Sequence, residues 1–424
     1  MKFKYRWVVA LILFIFLLFH QADKMVISPL VSPIMEEFQV NEAQMGAISS
    51  LAIIVASLLY PLWGYFSDRF ARSKLLALSS LIWGGTTTLS ALAPNFRSFM
   101  AARASTGIDD SSYPGLYSLL SDYFGPEMRG KVYGYMQMSG PLGFMLGTVL
   151  ATTLGTAIGW RNVFIITGVV GIGVAALILF VVKDRPRGKS EPELRDLEDI
   201  PEYRIDWESV RGLLKNRSLV LLMAQGFFGV FPWNVLTFWF FRYLETERGY
   251  TPQEAMLTMI VAIGALTAGY IVGGNVGDTL FQCFPRGRVV FAGVGVLAGG
   301  VFLSITLLLP MERQTLFLVL MGITGIAMSL APPNVMATVH DVTLPEVRST
   351  AQSLRKLLED GGAAVSPFLA GLIAMSFSLH TAILSICLGA WLISAVFFGI
   401  LAIFVPQDIT RLRETMRKRA EKEK

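Results

Sequence analysis

Cysteine is nearly missing from this chain: Cys283 and Cys387 are the two present in 424 residues. They lie far apart and without metal-like spacing, so neither a disulfide framework nor a zinc site is indicated. Histidine is almost as scarce, and His20, His340 and His380 fall on separate segments that suggest no metal centre. No glycine-rich nucleotide loop and no nucleophile–base set can be found, so an enzyme is not expected and no cofactor is implied. Charge is thin as well, at 16% of residues against 53% hydrophobic, with a mean hydropathy of +0.56. That is more apolar surface than a soluble fold can bury, which makes the chain an integral membrane protein. The formal charge of +5 does not point to nucleic acid as a partner, because the cations follow the loops of one face.

Twelve apolar stretches can be counted, near 7–33, 45–66, 75–93, 98–123, 131–155, 162–182, 218–244, 253–275, 289–309, 314–339, 349–375 and 381–405. Each is about long enough to cross a hydrocarbon core of ~30 Å at ~1.5 Å per residue, so an all-α membrane protein of twelve transmembrane helices is expected. The opening MKFKYRW, followed by VVALILFIFLLF, has the basic head and apolar body of a signal peptide. No small-residue cleavage site follows, and the stretch reads as a retained first helix continuing through His20, Asp23 and Lys24 to about Pro33.

Assigning alternate loops to the cytoplasm from an inside N-terminus places 29 of the 36 Lys and Arg residues there. Arg97, Arg161, Arg248 and Arg313 fall on the opposite side, and Lys24, Arg103 and Arg242 fall within helices. This asymmetry puts both termini in the cytoplasm and suits a multi-pass protein of the cell (inner) membrane. The longest polar stretch, 183–217, carries Pro186, Pro192 and Pro201 and reads as a cytoplasmic linker between a six-helix bundle at 1–182 and another at 218–405. A cytoplasmic tail follows at 406–424, whose basic part reads as a short interfacial helix against anionic membrane lipids.

The most informative turn is GYFSDRFARSK, residues 64–74, wedged between two apolar runs. A turn so short can only join antiparallel neighbours. Gly64, Asp68, Arg69, Arg72 and Lys74 resemble motif A of the major facilitator superfamily, G-x-x-x-D-R/K-x-G-R-R/K, with Ala71 in place of its second glycine. A degraded copy, GGNVGDTLFQCFPRGR, offers Gly274 and Asp278, then Arg286 and Arg288, at the matching place in the second half. That position supports an internal repeat. The resemblance implies the major facilitator fold: two six-helix halves related by an axis along the membrane normal, with a substrate site near the bilayer midplane.

Charges inside helices are the next signal, since each costs at least ~2.5 to 3.5 kcal/mol at bilayer centre and must pair or act. On the first helix these are His20, Asp23 and Lys24; on the fourth they are Arg103, Asp109 and Asp110. At ~100° per residue Arg103 and Asp110 share a face two turns apart, while Asp109 points elsewhere, toward a neighbouring helix. Asp23-Lys24 and GIDDSSY, residues 107–113, resemble the N-x-x-D-R and G-x-G-E-A-S-Y motifs of the Spinster-like branch. The departures are Lys24 for Arg, His20 for Asn and Asp109 for Gly. Exchanging Arg for Lys replaces a planar fork by a point charge. SPFLAG, residues 366–371, resembles that branch's Ser-Pro segment, but the acid three residues before the serine is Ala363, with Glu359 and Asp360 about a turn earlier.

Helix breakers and aromatics complete the reading. Gly140, Pro141 and Gly143 in SGPLGFMLG form a bending or packing element on the fifth helix. On the seventh, Pro232 and Asn234 interrupt an aromatic run, and Phe231, Trp233, Asn234, Phe238 and Trp239, with Tyr113, Glu359 and Asp360, are the candidate substrate-cavity residues. Ala331-Pro332-Pro333-Asn334 marks a matching weak point on the tenth. Proton coupling is assigned to Asp23, Asp110, Lys24, Arg103 and His20. The expected function is secondary active transport by alternating access, proton-coupled, moving an amphiphilic anion such as a lysophospholipid or related lipid, in a monomer. Two alternatives stand beside it: a carrier of small organic anions or drug-like solutes, and a sensor that kept a transporter fold.

Overall fold

In the computed structural model the described residues are 3–40, 42–194 and 211–422. They are helical, with no β-strand among them. The chain forms two compact units: unit 1 comprises Met1–Phe124, Ser139–Asp206 and Pro345–Ser353, and unit 2 comprises Gly125–Met138, Trp207–Leu344 and Leu354–Lys424. Of the linker expected over 183–217, residues 195–210 lie outside the described residues.

Unit 1 contains α1 (Phe3–Val26), α2 (Val31–Phe38), α3 (Glu42–Arg69), α4 (Arg72–Ala91), α5 (Phe96–Ala104), α6 (Gly107–Asp110) and α7 (Tyr113–Tyr123). Among the described residues, ten helices are long and apolar enough to cross a membrane. The two remaining spans of the twelve-helix fold are α4, whose serines and threonines dilute its hydropathy, and the run from α5 to α7. That run was expected as one helix and is in three pieces. Thr106 Oγ1 donates to the Arg103 carbonyl and Ser111 Oγ to those of Gly107 and Ile108, so hydroxyls compete for the helical ladder. Pro114 then supplies no N–H at the start of α7. The first helix also stops early: α1 ends at Val26 rather than near Pro33, and a 3₁₀ turn at Ser28–Leu30 leads into α2.

Unit 1 also takes in α9 (Ser139–Ile158) and α10 (Trp160–Val181), while α8 (Arg129–Gln137) belongs to unit 2. The aromatic rings of Phe38, Phe99, Trp160 and Phe164 meet mostly edge to face and tie α2, α5 and α10 together. Beside them Arg161 and Trp160 both donate to Glu37, and Arg161 holds that carboxyl below the usual carboxylate range. The described start of the expected linker is anchored, not free: Asp184 accepts from the Ser73 amide at the head of α4, and Gly188 N donates to Asp122.

The remaining helices are α11 (Arg217–Gly229), α12 (Phe231–Thr246), α13 (Pro252–Cys283), α14 (Gly287–Leu307), α15 (Gln314–Ser329), α16 (Ala331–Asp341), α17 (Arg348–Ser376) and α18 (Leu379–Lys422). The expected interruptions fall at Val230, just before Pro232, and at Leu330, just before Pro332-Pro333. The tail is not a separate short helix. It continues the last span through Pro406, giving one helix of 44 residues, about 66 Å at ~1.5 Å per residue. Asp408, in that continuation, caps α11 by accepting from Ser218 N and Oγ.

The packing of α9 on α1 depends on small residues. A Cβ added at Gly143 would meet Gln21 Cβ at 2.6 Å and the Leu18 carbonyl at 2.7 Å, and one at Gly147 would meet the Ala22 carbonyl at 2.1 Å. These contacts are largely backbone, which cannot give way as a flexible side chain can. Gly147→Leu should therefore lower the thermal midpoint of the detergent-purified protein by the equivalent of about 1–3 kcal/mol or more. Gly173→Leu, at a position with open space around it, should leave the midpoint nearly unchanged.

Candidate functional site

The break in the fourth segment aims polar side chains at α1, and two separate ionic groups result within unit 1. In the first, Asp23 is buried and its carboxylate is fully occupied. Arg103 Nη1 donates to Oδ2 at 3.2 Å, Thr87 Oγ1 to the same oxygen at 3.0 Å, and Thr167 Oγ1 to Oδ1 at 2.7 Å. Arg103 lies over the Phe164 ring, 5.1 Å from its centroid. One carboxylate thus joins α1, α4, α5 and α10.

The second group holds His20, Lys24, Asp109, Asp110 and Tyr113. His20 Nε2 contacts Asp109 Oδ2, and its Nδ1 lies 2.5 Å from the Tyr113 hydroxyl. Lys24 Nζ pairs with Asp110 Oδ1, which also lies 3.9 Å from His20 Nε2. Trp83 stands edge-on to the imidazole at 5.4 Å. The shared face projected for Arg103 and Asp110 does not make them partners: Arg103 pairs with Asp23 and Asp110 with Lys24, and the interruption at Ser105–Thr106 lies between them. Asp109 does face a neighbouring helix, where it meets His20, yet sequence reasoning gave it no role. The available signal was that an acid beside Asp110 inside a span needs its own partner.

The charged turn is a second candidate site of unit 1. Arg72 is buried and bridges Asp68 at 2.9 Å and Asp122 at 2.5 Å, while donating to the Pro345 carbonyl. Asp68 accepts from the amides of Ser349 and Thr350, at the head of α17. A carboxylate there meets free amides and the positive end of the helix dipole. Gly64 lets α3 come this close, since a Cβ would strike Ser353 Oγ at 2.3 Å. Arg69 stays outside the network, donating instead to Tyr65 OH.

Unit 2 repeats this arrangement with its own residues. Arg288 bridges Asp278 and Asp341 and donates to the Pro126 carbonyl. Asp278 accepts from the amides of Gly130 and Lys131 at the head of α8 at 2.9 and 2.7 Å. A Cβ at Gly274 would fall 2.3 Å from the Gly130 carbonyl. Two members were missed in the sequence: Arg129, 3.1 Å from Asp341, and Arg348, 2.6 Å from Glu191. The signal was present as a repeated tetrapeptide, Pro126-Glu127-Met128-Arg129 and Pro345-Glu346-Val347-Arg348.

The other candidate residues are dispersed. Phe231 is buried, whereas Trp233 is 39% and Phe238 65% exposed. Asn234 donates to the Val230 carbonyl of its own chain turn, and Trp239 Nε1 donates to the Pro367 carbonyl of α17 at 3.0 Å. Glu359 and Asp360 pair one turn back with Arg355 and Lys356 at 3.0 and 2.7 Å. Gly140 has open space around it, and Pro141 is buried just after the α8–α9 break at Met138.

Two charged networks of one design, one per unit, together with the twelve-span order, agree with the family pattern that matches residues 13–310, described as the Major Facilitator Superfamily. The chain belongs to that superfamily. Protein spinster of Drosophila melanogaster is 25% identical over 386 residues, covering 88% of this chain. The chain spans 63% of the length of that fly protein. Spinster homolog 1 of Xenopus tropicalis is 26% identical over 457 residues, covering 99% of this chain and 83% of the frog protein. Among solved structures, a bacterial homolog of the human lysosomal transporter Spinster superposes with a TM-score of 0.61 at 20% identity, covering 98% of this chain and 99% of the other. The relatives and the fold are those of major facilitator transporters of the Spinster type, not of enzymes.

The networks generate a stability prediction. Breaking a buried ion pair from one side strands the other charge and costs about 3–5 kcal/mol, while a half-exposed pair is worth about 0–1 kcal/mol. Asp278→Asn should therefore lower the thermal midpoint far more than Glu37→Gln, whose partner Arg161 is 32% exposed.

Proposed function

We propose that this superfamily member is a secondary active transporter working by alternating access, coupled to protons and carrying an amphiphilic anion such as a lysophospholipid or related lipid. The Lys24–Asp110 pair is the observation that carries the reading. Its side chains are 29% and 16% exposed, whereas those of Asp23 and Arg103 are 3% and 5%. An ammonium that the protein does not close off can exchange its carboxylate for an incoming anion, and Asp110, left without its cation, is then the group that takes a proton in its place. Anion binding and proton uptake become one event.

The remaining assignments belong to the same proposal. Asp23, Arg103 and His20 complete the coupling group, with Tyr113 beside it. Phe231, Trp233, Asn234, Phe238 and Trp239 of unit 2 supply an apolar wall for a lipid chain, and Glu359 and Asp360 a polar patch. Gly64, Asp68, Arg69 and Arg72, with Gly274 and Asp278, govern the conformational change, and Gly140, Pro141 and Gly143 serve as the hinge. The protein works as a monomer in the cell (inner) membrane with both termini cytoplasmic.

Reconstitution tests the proposal. Proteoliposomes loaded with labelled lysophosphatidylglycerol, or with citrate as the small-anion comparison, should move the lysolipid when a pH gradient is imposed. Asp110→Asn should lose gradient-driven movement while keeping part of counterflow exchange. Movement of the lysolipid that ignores the gradient across a full pH series, normal transport by Asp110→Asn, or no movement at all would count against it.

A further inference from the structure

The second ionic group does not balance its charge as drawn. Lys24 supplies one positive charge, and Asp109 and Asp110 supply two negative ones, so with a neutral imidazole the group carries one net negative charge inside a membrane span. Asp23 and Arg103 cannot correct this, because they neutralise each other and Asp23 already has three donors. The deficit falls on Asp109. Its carboxylate is buried, Oδ2 touches His20 Nε2, and Oδ1 has no hydrogen-bond partner. A buried carboxylate held by one neutral donor is the costly arrangement; one extra proton removes the cost.

We infer that His20 and Asp109 together hold one resident proton, and that His20 passes it to Asp110 when Lys24 leaves for an anion. This rests on the proposed proton coupling and names its donor. The geometry suits the step, since His20 Nε2 contacts Asp109 and lies 3.9 Å from Asp110 Oδ1. In the transfer the Nε2–H bond breaks and an O–H bond forms at Asp110 Oδ1. The ring is left neutral with its hydrogen on Nδ1, donated to the Tyr113 hydroxyl, which can accept or donate as needed. The bare Nε2 then faces the Asp109 carboxylate lone pairs, an unfavourable contact that draws the next proton from water back to the pair.

The surrounding groups do not offer a competing store. From α1 the pair meets Lys24; from α4, Trp83, with Ser79 donating to Ser112 Oγ and the Asp109 carbonyl. From α6 and α7 it meets Asp110 and Tyr113, the latter with Tyr60 of α3 and Tyr117 of α7 electrostatically near it. His20 and Asp109 both depart from the Spinster-like motifs, and they touch each other.

Nitrogen NMR of the full-length protein labelled at histidine reads the proton directly, because there are three histidines and His20→Asn identifies the right signal. With a resident proton, His20 Nδ1 carries hydrogen near neutral pH, whether the extra proton sits on the ring or on Asp109. Without it, Nε2 carries the ring hydrogen and Nδ1 is bare. The expected result is an Nδ1–H signal that is lost in Asp109→Asn and kept in Asp23→Asn. A bare Nδ1 at His20 in the unaltered protein overturns the inference even if Asp109→Asn and Asp23→Asn fail to fold, as does a signal that survives Asp109→Asn. The spectrum needs no transported substrate, so failure of lysolipid transport with the Nδ1–H signal present would condemn the proposed function and leave the pair standing.

Discussion

An ionised side chain in hydrocarbon has no water to turn to, and this constraint organises unit 1. Each charged residue that α1 and the broken fourth segment carry into the membrane span is met by a partner from another element. Both acids meet α1 from the short α6 that lies between the two interruptions, Asp109 at His20 and Asp110 at Lys24. The backbone groups released by the breaks are partly compensated by hydroxyls one turn away.

The same physics, used differently, recurs at the charged turns. Asp68 and Asp278 each sit at the head of a helix, accept two amide hydrogens, and share an arginine with a second aspartate. Each arginine also donates to the carbonyl of a proline that begins a 3₁₀ turn before that helix. These are closed, saturated networks, in contrast to Lys24–Asp110, whose side chains are 29% and 16% exposed.

Much of this was legible in the sequence, and the failures have physical causes. Hydropathy and cation placement are sums over many residues, so the twelve spans and the repeat survive local irregularity. Gly64 with Asp68 and Gly274 with Asp278 were readable because close backbone approach beside a helix head leaves few residue choices. Angular projection is different, since it assumes an unbroken helix: it put Arg103 and Asp110 on one face and turned Asp109 toward a neighbouring helix, but it could not name the partner of any of the three. Trp239 illustrates another limit. Its indole ring fitted a cavity wall by composition, yet its N–H is committed to the Pro367 carbonyl of α17, a long-range contact with no local signature.

Pairing is therefore the central claim, and a thermodynamic double-mutant cycle on the purified protein measures it most directly. Comparing Asp23→Asn, Arg103→Gln and Asp110→Asn singly and in pairs, the account predicts a coupling of at least about 1 kcal/mol between Asp23 and Arg103 and none beyond about 0.5 kcal/mol between Arg103 and Asp110. A larger coupling between Arg103 and Asp110 than between Arg103 and Asp23 would contradict it.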